Sequence, residues 1–126
     1  MRNFIICALK DQPIEIHGDG SQIRAWCYVE DMVDATLRAI TQPAAVGETF
    51  NIGNPRGAIS VLGLANMILR VLDSKSKLVF SKKTFTDVEA RIPNVDKARE
   101  MLGFEARVDL EEGIRRTADY YRGSDD

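Results

Sequence analysis

No glycine-rich phosphate turn, no cysteine-histidine cluster and no long apolar run occurs in this sequence, and each absence removes a class of function. The two cysteines, Cys7 and Cys27, form no C-x-x-C pair and stand apart from the single histidine, His17, so a metal site is not expected. The apolar stretch from Phe4 to Leu9 is soon interrupted by Lys10 and Asp11, too short for a secretion signal or a membrane span. The expectation is a reduced, cytoplasmic protein that meets no membrane. Lys and Arg total 17 against 19 Asp and Glu, leaving a net charge of −2 and no basic field for nucleic acid. A compact diphosphate is still possible, because it needs only one or two well-placed arginines.

What is present is a chain of 126 residues, 44% hydrophobic, enough for one compact domain with its own core and short for two. One domain over residues 1–126 is expected, with 122–126 a frayed tail. Apolar spacing predicts helices over residues 3–10, from Glu30 toward Pro43, from Ser60 through Leu72, over 95–102, and from Asp109 onward. Ser60 and Asn94 are expected as helix caps, Gly103 as a helix stop, and Asp109 with Glu112 as a capping-box-like pair. Alternation predicts strands over 13–17, 25–29, 48–52 and 77–81, while 82–94 has no period and reads as a loop. Gly18, Asp19, Gly20 and Ser21 supply turn chemistry, read as a hairpin rather than a phosphate cradle. Strands alternating with helices make this a small mixed α/β domain of about four short strands and about five helices.

No catalytic set is visible. His17 has no orienting carboxylate and nucleophile at a recognisable spacing, so a structural or solvent role is expected. Tyr28, Tyr120 and Tyr121 lack a lysine four residues on and are expected to pack in a core or interface. Arg24 and Arg91 each stand where a loop meets a regular element, a position that suits either a guanidinium reaching into a cleft or an ordinary surface charge.

The stretch from Gly18 to Asp31, GDGSQIRAWCYVED, resembles the G-x-G-x-Q-x-R-x-(W/F)-x-Y-V-x-D signature of extended short-chain dehydrogenases, the NAD-dependent epimerases and dehydratases of nucleotide sugars. Further blocks follow the same order: Asn3-Phe4-Ile5 with Lys10 and Pro13-Ile14, then GETFNIGN from Gly47. Arg91-x-Pro93, Asp96-Lys97-Ala98, Leu102-Gly103-Phe104 and Leu110 to Ile114 complete the series. Asn94 stands where aspartate is usual and Phe104 where tryptophan is common.

The resemblance implies the C-terminal, nucleotide-sugar-binding portion of such an enzyme, without most of the Rossmann sheet. It implies Arg24 and Arg91 as diphosphate ligands, with Asn3, Gln22 and Ile23 as weaker pocket residues. The family's NAD turn and its Tyr-x-x-x-Lys pair map onto no residue here. NAD is therefore implied for the complete enzyme, with no cofactor held and no turnover by this chain alone. The implied partners are a UDP-, dTDP- or GDP-linked sugar, a separate Rossmann half and further copies of the chain. QIRAW leans toward the dehydratases and NIGNP toward the decarboxylases. A docking or oligomerisation module, or a truncated product without sugar-nucleotide binding, is the alternative.

Overall fold

A computed structural model describes residues 1–82 and 87–123. Helix α1 (Arg2–Leu9) leads to strand β1 (Ile14–His17) and then, after a glycine turn, to β2 (Ile23–Ala25). Helix α2 (Val29–Thr41), β3 (Ala58–Ser60), α3 (Val61–Leu72), β4 (Leu78–Ser81), β5 (Ala90–Arg91), α4 (Asp96–Leu102) and α5 (Leu110–Arg122) follow. Strands β1 and β4 pair in parallel, while β2 lies antiparallel to β3 and parallel to β5 in a second sheet. The architecture is the expected small mixed α/β fold, with five strands rather than four among the described residues.

Helices α1, α3 and α5 pack on one another, and α1 and α3 pack on β1. They bury Ile5, Ile14, Ile16, Leu64, Ile68 and Ile114 in one core, at about 1.5–3 kcal/mol for each large side chain removed from water. A second cluster joins Ala35 of α2 to Ala98, Leu102, Phe104 and Ala106, with Phe50 and Ile52 packed against it. Ser60 caps α3 through a hydrogen bond accepted from Gly63 N, and Gly103 ends α4 at φ +62°. Asn94 accepts from Asp96 N at the head of α4, although Val95 is the cap residue. Asp31 is buried in the first turn of α2, where its carboxylate accepts the Arg107 and Val108 amides at 3.0 and 3.1 Å. That contact ties α2 to the turn that launches α5.

Several expectations are corrected. The second strand runs from Ile23 to Ala25 rather than over 25–29, because its partners β3 and β5 reach only that far, and helix begins at Val29. Strands β1 and β2 do not pair, so the glycine turn is a crossing between sheets and not a hairpin. Gly20 has φ +73°, and a Cβ there would meet Ile16 and Leu62 at 2.9 Å, so the turn is pressed against the start of α3. Residues 48–52 form no strand, since no neighbour among the described residues offers a ladder. The loop expected over 82–94 contains β5, a two-residue strand held by β2, and residues 83–86 lie outside the described set. Asp109 precedes α5 without a side-chain cap, and Arg122 belongs to that helix. Residues 124–126, most of the expected tail, lie outside the described set.

Helix α2 is amphipathic as expected, with Arg38 Nε 2.9 Å from Asp34, but its apolar stripe faces outward. Val29, Val33, Leu37 and Ile40 are more than half exposed, whereas Asp31 and Ala35 face the core. Among the described residues no helix is long and apolar enough to cross a membrane, and no group of His, Cys, Asp and Glu is arranged to hold a metal ion.

Candidate functional site

Strand β2 is the centre of its sheet, and its register places Arg24 beside Arg91 of β5. Residues paired across a ladder project to the same face, so two guanidinium groups are offered side by side. They are held differently. Arg24 is 18% exposed; its Nη1 donates to Ile23 O and its Nη2 to Asp87 Oδ1, each at 2.6 Å. Arg91 is exposed, and no hydrogen bond or ion pair holds its guanidinium among the described residues.

Next to this pair is an open cavity of about 640 Å³ between α1, β1 and the lead into β5. Its polar lining is Arg2, Asn3, Cys7, Glu15, His17, Gln22 and Asp87. Helix α1 presents Asn3 there because the opposite face, Ile5 and Ala8, is buried. Strand β1 alternates buried Ile14 and Ile16 with outward Glu15 and His17, which places those two polar groups on the cavity side. The Gln22 amide donates to His17 O at 3.4 Å, tying the glycine turn to the strand it leaves.

Of the residues expected in a site, Asn3 and Gln22 share this cavity, and Arg24 and Arg91 share neighbouring strand positions. Arg24, Arg91 and Ile23 do not line the cavity itself. Ile23 contributes through its backbone: its amide donates to Glu89 O at 2.7 Å and its carbonyl receives Arg24. Asp87 joins the two parts, since it lines the cavity and holds Arg24.

Asp87 was not foreseen, and His17, expected in a structural or solvent role, has a partner that sequence did not show. Asp87 falls in the stretch without periodicity, and the only sign of it in sequence is a carboxylate four residues before Arg91. His17 is not isolated on its strand: Nδ1 lies 2.8 Å from Ser81 Oγ, its register partner on β4, and 3.9 Å from Glu15. A pairing between strands some sixty residues apart is not readable from local pattern. Tyr28 lies against Gly113, with the Arg116 guanidinium 5.6 Å from its ring centre, and Tyr121 packs against the first core, both in keeping with packing roles.

Residues 1–53 match the NAD dependent epimerase/dehydratase family. The chain is 37% identical over 112 residues to UDP-glucuronic acid decarboxylase 4 of Arabidopsis thaliana, covering 89% of this chain and 25% of that protein. To UDP-glucuronic acid decarboxylase 1 of Danio rerio it is 34% identical over 119 residues, covering 94% and 28%. Its fold matches UDP-glucose 4-epimerase of Thermotoga maritima, solved with UDP-glucose, at a TM-score of 0.86 and 33% identity, over 95% of this chain and 38% of that one. UDP-glucuronic acid 4-epimerase of Bacillus cereus, solved with UDP-glucuronic acid and NAD, matches at 0.86 and 27% identity, over 94% and 38%. The chain thus spans about a quarter of the length of these two decarboxylases.

NAD finds no fitting cradle among the described residues. The only Gly-x-Gly turn, at Gly18 and Gly20, leads into a strand rather than a helix, and Gly20 is packed against the chain's own core.

Proposed function

The chain belongs in sequence and fold to the NAD-dependent epimerase/dehydratase family, and from that premise we propose that it binds the diphosphate of a nucleotide sugar. The observation that carries this reading is the register pair of Arg24 and Arg91 beside a cavity lined by Asn3 and Gln22. A diphosphate is matched by guanidinium forks that approach from neighbouring positions. The cavity's carboxamides suit the hydrogen-bonding edge of a base, and its volume is within the usual range for small-molecule sites. UDP is the nucleotide to try first, because the relatives and solved structures above are named for UDP-sugars. In this reading the residues of this chain bind and orient the substrate, and the dinucleotide chemistry belongs to another portion of the enzyme.

Titration with UDP-glucuronic acid, UDP-glucose, dTDP-glucose and GDP-mannose by calorimetry tests it. Saturable binding that Arg24→Ala weakens supports the reading, and no heat or NMR shift at millimolar ligand removes it.

The outward stripe of α2 favours a companion reading. Val29, Val33, Leu37 and Ile40 are exposed, and the backbone amides of residues 49–52 make no backbone hydrogen bond among the described residues. An exposed apolar helix face and an unladdered segment are surfaces that a neighbouring sheet covers. A Rossmann half, carried elsewhere, or a second copy would cover them. Sedimentation showing a monomer at high concentration would exclude self-association as the cover.

A further inference from the structure

We propose that Asp87 is an internal anion that occupies Arg24 until a diphosphate takes its place; the inference rests on the binding reading above. The geometry points to it because Asp87 lines the cavity and Arg24 does not, so a ligand there meets the carboxylate before the guanidinium. Arg24 Nη2 donates to Asp87 Oδ1 at 2.6 Å, with the two side chains 18% and 24% exposed. The same Oδ1 accepts the Val88 amide at 2.8 Å, which holds the carboxylate on the lead into β5. The ion pair with Asp87 offsets the charge of Arg24, leaving a weaker field for a dianion than Arg24 without that carboxylate.

Exchange is favourable for a diphosphate and not for a smaller anion. A diphosphate carries more charge than a carboxylate, matches a guanidinium fork and can span to Arg91, which stands at the paired position on β5. A monoanion offers Arg24 nothing that Asp87 does not already supply. Asp87 therefore acts as a selectivity filter on Arg24, discriminating against small anions.

Calorimetric titration with UDP, inorganic pyrophosphate and uridine tests this on the wild type, Asp87→Asn, Asp87→Ser, Arg24→Ala and the double variant Asp87→Asn with Arg24→Ala. Both Asp87 variants should bind UDP and pyrophosphate about tenfold more tightly, the order set by removing one repelling charge near a dianion in a water-like dielectric. Uridine binding should not change, and the gain should vanish when Arg24 is alanine. Equal or weaker UDP binding by both Asp87 variants, with wild-type binding still dependent on Arg24, would make Asp87 a positioning residue and overturn the inference while leaving the site standing. Absence of UDP binding in every protein, each still folded by its thermal transition, would remove the site and the inference together.

Discussion

Replacing Asp31 by alanine removes the carboxylate that joins α2 to the 107–108 turn. Asp31 is 5% exposed and accepts two backbone amides, Arg107 N and Val108 N. Hydrogen bonds to a charged acceptor contribute about 1.5–3 kcal/mol each, and an amide left without a partner adds a desolvation cost. Water can partly replace the lost acceptor here, because a cavity of about 450 Å³ lined by Asp31, Arg107 and Val108 opens beside it. The low end of the range therefore applies, about 3 kcal/mol for the two bonds. Losing a carboxylate from the first turn of α2 costs a further ~0.3–1 kcal/mol, and alanine's better helix propensity returns a similar amount. Asp31→Ala is expected to lose about 3 kcal/mol of unfolding free energy in urea, with a melting point lower by roughly 10 °C. Asp31→Asn, which keeps one acceptor and turns an NH₂ group toward the other amide, should lose about 2 kcal/mol. A loss under about 1 kcal/mol for Asp31→Ala would refute the reasoning, since it would mean that the two amides are solvated as well by water as by the carboxylate.

Gly57→Ala should destabilise the protein by about 2–3 kcal/mol, because its Cβ would sit 2.4 Å from Trp26 O, a backbone atom that cannot rotate away; denaturant melts measure it. The Cys27 thiol is pushed up by burial and then by the Asp31 carboxylate, so its thiolate is scarce at neutral pH. Iodoacetamide should modify it more slowly than free glutathione, as read by mass spectrometry. Glu111 is held below the usual carboxylate range chiefly by the hydrogen bond from Arg70, with Arg115 adding to it. The melting-point gap between wild type and Glu111→Gln should be present above the ordinary Glu range and close as the pH falls through the folded-state value. A gap that persists into strong acid contradicts that origin.

The helices were legible because their apolar spacing matches their buried faces: Ile5 and Ala8 in α1, Leu64 and Ile68 in α3, Ile114 and Ala118 in α5. Strands fared less well. The strands expected over 13–17 and 77–81 are present as β1 and β4, but β3 and β5 exist because β2 lies between them, and that is a tertiary fact. Residues 48–52 show the converse, a strand-like composition with no partner to pair it. Helix α2 had the right period, but periodicity finds a stripe without saying what covers it. At the site, resemblance singled out Arg24, Arg91, Asn3 and Gln22. Asp87 and the His17 to Ser81 contact depend on long-range pairing that no local pattern reveals.

The central claim is that Arg24 and Arg91 form a diphosphate site on adjacent strands. Calorimetric titration of UDP into the wild type, the two single alanine variants and the double variant tests it directly. We expect measurable wild-type binding, a weakening of roughly ten- to a hundredfold in each single variant for loss of one charge-assisted phosphate contact, and loss of detectable binding in the double variant. UDP binding with unchanged affinity in the double variant would contradict the claim, for the ligand would then be held somewhere other than between these two arginines.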